Sequence, residues 1–372
     1  MKKILLAPDS FKGTFSSEEI AVLIRDALPA PFGKFCTIQV LADGGEGFAD
    51  VFKPLPSAQV KYVQVQGPLD EKVTAEFVQL GHRAIIAISA AAGLPLVRGT
   101  LQPERATTFG VGELMLAAAQ SGASELVLGL GGSATCDGGA GALQALGVSL
   151  LNATGQPIPL GNAGLALLAT VDFSSLALPS SLSLVIAHDV HNPLLGPHGA
   201  VQVFGKQKGV RTEAMPDFEA RLVHFADLAE SHVGAQFRDV PGAGAAGGLG
   251  FGLMLLTPFL QSVKRISGFE FISQSVQLSE QILNSDLVIT GEGKLDQTSF
   301  SGKVVGGVVQ LCQRHRKPCV VIAGVSDLCA EDIKHFGIEQ VFTIFDSMPS
   351  SLDLAKAETP HRLKRLLSNF TL

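Results

Sequence analysis

Strand–helix alternation appears at both ends of this chain and is interrupted in the middle. That pattern restricts the fold more than any other feature. Residues 3–7 read as a buried strand, and Ser16-Ser17-Glu18-Glu19 follows as a capping box with Ser16 at N-cap and Glu19 at N3. Ile20, Leu23, Ile24 and Ala27 then recur at i, i+3, i+4 and i+7, the stripe of a core-facing helix. Residues 36–41 predict a second strand. Toward the other terminus, 286–290, 319–323 and 340–344 are short β-rich runs separated by helical segments over 303–314 and 330–336. Such alternation builds parallel βαβ units. The middle differs: residues 61–66 and 73–80 alternate with period two around Gly67-Pro68-Leu69-Asp70, which predicts an antiparallel hairpin. Helices over 111–120 and 217–231 and strands over 125–128 and 184–187 complete the reading. The expected architecture is α/β: a doubly wound parallel-sheet domain formed by both chain ends (1–62 plus 284–372), with a mixed α/β domain (63–283) inserted. Ligands are expected in the cleft between them, at the carboxyl ends of the parallel strands.

Length and composition support this and exclude several classes. A chain of 372 residues suits two domains of about 100–200 residues each. With 46% hydrophobic and 17% charged residues, and no solenoid repeat or low-complexity block, disorder is not expected. Lys2 and Lys3 before Ile4-Leu5-Leu6-Ala7 imitate a signal peptide, but Pro8 and Asp9 end the apolar run too early. The longest weakly polar stretches, 84–97 and 243–256, are too short to span a bilayer. Five cysteines, an odd number without a C-x-x-C pair, suit reduced thiols in the cytoplasm and argue against disulfides or structural zinc. A formal net charge of −6 without a polybasic run argues against nucleic acid or membrane as partner. A second copy, in a homodimer, is the one macromolecular partner retained.

Five segments combine glycine with charge. They are Asp9-Ser10-Phe11-Lys12-Gly13, Asp43-Gly44-Gly45-Glu46-Gly47, residues 129–141, residues 241–250, and Thr290-Gly291-Glu292-Gly293-Lys294-Leu295-Asp296 with Ser301-Gly302-Lys303 after it. Any single one fits a tight turn or close packing. Their recurrence at strand ends suits a phosphate and metal site, where backbone N–H groups cradle oxygens. Gly131, Gly132 and Ser133 are expected to offer donors at the positive end of a helix running through Leu143, Ala145 and Leu146. No G-x-x-x-x-G-K-[ST] is present. Gly129 to Ala134 and Gly242 to Gly247 match dinucleotide-type glycine patterns, but the first lacks a carboxylate over 147–152 and the second has no apparent following strand. Phosphoryl transfer needs carboxylates for a metal and cations for phosphates. The candidates are Asp43, Glu46, Asp189 and Glu292, with Lys12, Lys206, Lys208, Lys294 and Lys303.

Taken together, Ala7-Pro8-Asp9-Ser10-Phe11-Lys12-Gly13, Ala42-Asp43-Gly44-Gly45-Glu46-Gly47, Gly131-Gly132-Ser133-Ala134-Thr135, Asp137-Gly138-Gly139-Ala140-Gly141, Asn192-Pro193-Leu194, residues 241–250 and Thr290-Gly291-Glu292-Gly293 resemble the bacterial glycerate kinase family from first strand to last. The resemblance implies a flavodoxin-like domain made from both ends, D-glycerate as acceptor, ATP and Mg²⁺ as co-substrate and cofactor, and 2-phospho- or 3-phospho-D-glycerate as product. On the chemistry of the matching positions, Asp43, Asp189 and Lys12 are the catalytic candidates, and Asp43, Asp189 and Glu292 the metal candidates. Ser10, Lys12, Glu46 and Lys294 are assigned to substrate, and Gly131, Gly132, Ser133, Thr135, Gly244, Gly247 and Gly248 to nucleotide. Cys136 stands where the family usually shows Asn, His188 where Cys is expected, and Ala87 where Glu is expected. Two rivals remain: an NAD-dependent hydroxy-acid dehydrogenase, and a glycerate-binding regulatory protein without turnover.

Overall fold

The computed structural model describes residues 2–371 other than 31, 46, 98, 100 and 301. Among the described residues, thirteen strands form in chain order: β1 (Ile4–Leu6), β2 (Cys36–Ile38), β3 (Ala58–Gln66), β4 (Lys72–Leu80), β5 (Arg83–Ala87), β6 (Glu125–Gly129), β7 (Ser149–Leu151), β8 (Thr170–Asp172), β9 (Ser183–Ala187), β10 (Ser262–Ile266), β11 (Leu287–Leu295), β12 (Cys319–Ser326) and β13 (Gln340–Thr343). The chain divides into two compact units, residues 1–43 with 267–372, and residues 44–266.

In the first unit, β2, β1, β11, β12 and β13 form one sheet in that order, every neighbour parallel. The five strands expected at the two chain ends therefore share a single sheet. Numbered within the unit, their order is 2-1-3-4-5, the flavodoxin-like arrangement. Helix Ser17–Ala27 starts at the expected capping box: Ser16 Oγ accepts from Glu19 N, and the Glu19 carboxylate accepts from Ser16 N. It buries Ile20, Ala21, Ile24 and Ala27 in a core shared with Ile4, Leu6, Ile289, Ile322 and Leu363. Two boundaries depart from expectation. β2 ends at Ile38 rather than running to residue 41. β11 does not stop at residue 290 but continues through Gly291-Glu292-Gly293-Lys294 to Leu295, so the fifth glycine segment is strand rather than loop. Its glycines let the strands approach closely: a Cβ on Gly291 would lie 2.0 Å from Ile322 O, and one on Gly324 2.3 Å from Gly293 O.

The second unit holds a mixed sheet in the order β10-β9-β6-β5-β4-β3. β3 and β4 form the expected hairpin, with Gln66 opposite Lys72, and β4 and β5 are also antiparallel. β5, β6, β9 and β10 run parallel. Helices Phe109–Gln120 and Met215–Val233 occupy the expected positions. β10 corrects one reading, since a strand does follow the Gly242–Gly247 pattern. The dinucleotide geometry is still missing, because no strand leads into Gly242 among the described residues.

Candidate functional site

Between β1 and β11 the strand order of the first unit reverses direction. An open parallel sheet leaves a crevice there, at the carboxyl ends of the strands. Asp9 and Ser10 lie three and four residues beyond the end of β1, and Glu292 lies in the second half of β11. A cavity of about 540 Å³ opens at this point, lined by Asp9, Ser10, Lys12, Glu292, Lys294 and Lys303 among others. Ala7 N donates to Ile289 O and Asp9 N to Gly291 O, both at 2.8 Å, so the β1 ladder carries Asp9 to the cavity in fixed register. Lys12 Nζ donates to Asp43 Oδ2 at 2.8 Å, with the lysine exposed and the carboxylate largely covered.

Three carboxylates, Asp9, Asp43 and Glu292, act on Lys12 and on one another here. Burial and then the like charge of Asp43 push the Asp9 carboxyl up to about 7, with Glu292 adding to the effect and Lys12 opposing it. Burial disfavours the charge on Lys12, but Asp43, Asp9 and Glu292 outweigh it and hold the ammonium above its ordinary pKa. Burial also raises Glu292, against a hydrogen bond from Ser299 and the charge of Lys303. Glu292 Oε1 is buried without a hydrogen-bond partner among the described residues, and such an atom favours a ligand that restores its lost hydration. Lys294 is tied to Asp327 at 2.7 Å and to Asp296 at 3.7 Å. Lys303 Nζ reaches Thr298 Oγ1 at 3.2 Å, and no ion pair engages it among the described residues. Glu46 lies outside the described residues.

The second unit holds the remaining candidates. Asp189 is half-buried, two residues beyond the end of β9. Gly132 is exposed and Gly131 half-buried, whereas Ser133, Thr135, Gly244, Gly247 and Gly248 are buried. Ser133 Oγ and Thr135 O both accept from Lys208 Nζ at 2.8 Å. Gly247, at φ +69°, lies so close to Thr135 O that a Cβ would come within 1.8 Å. A Cβ on Gly244 would lie 2.3 Å from Pro193 O. These two glycine segments pack against each other. The helix expected to present Gly131–Ser133 at its positive end begins only at Ala140, capped by Gly139 in the left-handed region, so those donors do not sit at its terminus. Its start is fixed by Asp137, which accepts from Thr108 N at 2.8 Å, Thr108 Oγ1 at 2.9 Å and Gly139 N at 3.1 Å. Burial raises the Asp137 carboxyl against these bonds.

Lys208, one of the candidate cations, lies in Gly205-Lys206-Gln207-Lys208-Gly209 and is buried, which the sequence does not signal. Burial lowers its pKa, and Cys136 and Asp137 oppose that shift. Sequence reasoning also passed over Asp9 as a titrating group, although it stands first in the segment that carries Ser10 and Lys12. Its signal was a carboxylate directly after a buried strand.

Among the described residues no cluster of three or more His, Cys, Asp or Glu is arranged to hold a metal ion. Mg²⁺ is commonly bound by only one or two carboxylates, with waters and substrate phosphates filling its octahedron. Hard oxygens at Asp43 and Glu292, an orphaned Glu292 Oε1 and the excess of negative charge around Asp9 fit that mode.

A flavodoxin-like sheet with carboxylates and lysines at its switch point, on one chain with a second α/β unit, is the architecture of an α/β enzyme. The sequence profile of the glycerate kinase family matches residues 4–371. Glycerate kinase of Bacillus subtilis (strain 168) is 39% identical over 95% of this chain and 92% of its own length. Glycerate 2-kinase of Escherichia coli (strain K12) is 39% identical over 93% and 91%. A crystal structure described as glycerate kinase 2 from Salmonella typhimurium LT2 superposes with a TM-score of 0.80 at 34% identity, covering 99% of this chain and 96% of that one. The chain belongs to the glycerate kinase family, and it is a kinase.

Proposed function

We propose that this protein transfers the terminal phosphoryl group of ATP to D-glycerate, giving 2-phospho- or 3-phospho-D-glycerate, in the cytoplasm and with Mg²⁺. The observation that carries the reading is the Asp9–Lys12–Asp43–Glu292 cluster at the switch point of the first unit. Phosphoryl transfer asks the protein for positioning and for charge placed where it develops. Lys12, kept protonated by three carboxylates, and Ser10 beside it receive the glycerate carboxylate or the moving phosphoryl, with Lys294 at the cavity edge. Asp43 orients the attacking hydroxyl, and Asp189 of the second unit is the further candidate for that role. Asp43 and Glu292 would hold Mg²⁺, with Asp189 a third candidate; the ion would neutralise phosphate charge. Exposed Gly132 and half-buried Gly131 offer backbone donors to an anionic oxygen, while Ser133, Thr135, Gly244, Gly247 and Gly248 support that backbone from within. No helix is long and apolar enough to cross a membrane among the described residues.

The test is ADP release followed by a coupled assay, with glycerate, ATP and Mg²⁺ each omitted in turn. Release that requires all three supports the reading, and release without glycerate overturns it. A change at the nicotinamide band on adding NAD and glycerate would favour the dehydrogenase instead. Glycerate binding without turnover would favour the regulatory protein.

A further inference from the structure

Of the candidate cations, Lys208 alone is buried, at 2% exposed. Its turn is closed on itself, so the side chain leaves from a fixed point: Lys208 N donates to Gly205 O at 3.0 Å, Gly209 N to Lys206 O at 3.1 Å and Val210 N to Gly205 O at 3.0 Å. Asp137 acts on Lys208 through space, but its oxygens are taken by Thr108 and Gly139. Among the described residues Lys208 makes no ion pair. Burying a lysine head group is costly, and an unbranched apolar side chain of similar length would fill the same space without that cost.

What the amine supplies is direction. Its two acceptors, Ser133 Oγ and Thr135 O, both at 2.8 Å, flank Ala134, whose N donates to Ala92 O at 2.8 Å. Next to them Gly132 O accepts from Leu94 N at 2.8 Å. Gly247 closes the other side, where a Cβ would lie 2.9 Å from Lys208 Nζ. The segment after β6 is thus pinned from the interior, while its Gly132 stands exposed. A serine hydroxyl carries a single proton. Because Ser133 Oγ accepts from Lys208, that proton is left to be donated to another group.

We propose that Lys208 is a positioning residue of the transfer reaction: by holding Ser133 Oγ and Thr135 O it sets the Gly131–Gly132 backbone, and the Ser133 hydroxyl proton, toward the anionic oxygen that this backbone receives. Lys208 itself touches no substrate. The inference deepens the kinase reading and rests on it. Lys208→Met keeps the length of the side chain and removes its donors, and Ser133→Ala removes one of its acceptors. Both variants are expected to melt close to the wild type, since Lys208→Met gives up two hydrogen bonds and relieves a buried head group.

Steady-state kinetics of the full chain give the direct measurement. In each variant kcat/KM for ATP is expected to fall by about ten- to hundred-fold, with KM for glycerate within about twofold. The double variant is expected to stay within about twofold of the poorer single one, the non-additivity of groups that act as a unit. Normal kinetics in a folded Lys208→Met overturns the proposal, and so do losses that multiply in the double variant. If Lys208→Met fails to fold, Ser133→Ala decides: normal kinetics overturns the proposal, and a loss at an unchanged midpoint supports it. Titration calorimetry with inorganic tripolyphosphate separates this role from the acceptor. Affinity lowered in both variants, from a wild type without glycerate-dependent turnover, supports the positioning role while refuting the acceptor. Turnover on glycerate with both variants unaffected does the reverse, and a wild type that neither turns over nor binds tripolyphosphate overturns both.

Discussion

Asp9 is 5% exposed and carries a carboxyl raised to about 7 by burial and by Asp43. A carboxyl whose folded pKa lies above its unfolded value binds the proton more tightly when folded. It therefore costs no stability below about pH 4 and costs progressively more as pH rises toward 7. Asp9→Asn should accordingly stabilise the fold at pH 8 in the absence of Mg²⁺ by up to ~4 kcal/mol, raising the thermal midpoint there, and leave it nearly unchanged at pH 4. Melting curves at the two pH values test this, and an equal effect at both would remove the like-charge argument. Asp9 illustrates a stability cost concentrated where chemistry is expected. Lys12 supplies the opposite charge. Lys12→Ala should lower kcat/KM by about ten- to hundred-fold, the worth of one charge-assisted hydrogen bond. A fall in kcat would place Lys12 on the moving phosphoryl, and a rise in KM on the glycerate carboxylate. Steady-state kinetics with each substrate varied separately would show both parameters, and no change in either would return Lys12 to the solvated surface.

At the scale of elements, the glycine segments divide by what surrounds them. Gly247→Ala should prevent normal folding of the second unit, because a Cβ would lie 1.8 Å from Thr135 O and 2.9 Å from the buried Lys208 ammonium. Gly132 also has positive φ, at +70°, but its nearest neighbour to a Cβ is Ser89 Cβ at 3.5 Å. Gly132→Ala should cost about 1–2 kcal/mol of backbone strain and leave a folded protein. If the backbone of Gly131 and Gly132 meets an anion, activity in this variant should fall further than melting predicts. Equal folding yields for the two alanine variants, judged by circular dichroism, would contradict the division. The capping box of helix Ser17–Ala27 gives a milder case: Ser16→Ala should cost about 1 kcal/mol, lowering the midpoint of the first unit by about 2–4 °C.

Legibility in the sequence followed the same division. The capping box, the Gly67–Asp70 hairpin turn and the strands at both termini carried local signals, so they were readable. β5 was hidden because Arg83–Ala87 opens a continuous apolar and alanine-rich stretch, where a strand buried on both faces has no alternation to show. β10, reading Ser262-Val263-Lys264-Arg265-Ile266, is too polar for a run of β-formers, and Pro360 masks the helix Leu352–Leu367. Around the cavity, Asp43, Lys12, Ser10 and Glu292 stood out in the sequence as charge or hydroxyl beside glycine. Met348 and Leu352, which also line it, did not, because they reach it from the far end of the chain through tertiary packing alone.

For the whole molecule, two units of different topology share one chain, and the first is assembled from its two ends. The sheet order 2-1-3-4-5 of that unit fixes where its ligand crevice lies, and the carboxylate–lysine cluster falls there without any further assumption. The chain belongs to the glycerate kinase family along residues 4–371. The central claim is that this chain joins a phosphoryl group to a glycerate hydroxyl, and phosphorus NMR of the reaction mixture tests it most directly. With D-glycerate, ATP and Mg²⁺, a single phosphomonoester resonance should grow as the γ-phosphate signal of ATP disappears. Its coupling to either one or two carbon-bound protons distinguishes the 2-phosphate from the 3-phosphate. Inorganic phosphate as the sole new signal, or an ATP spectrum unchanged over many hours, would contradict the account.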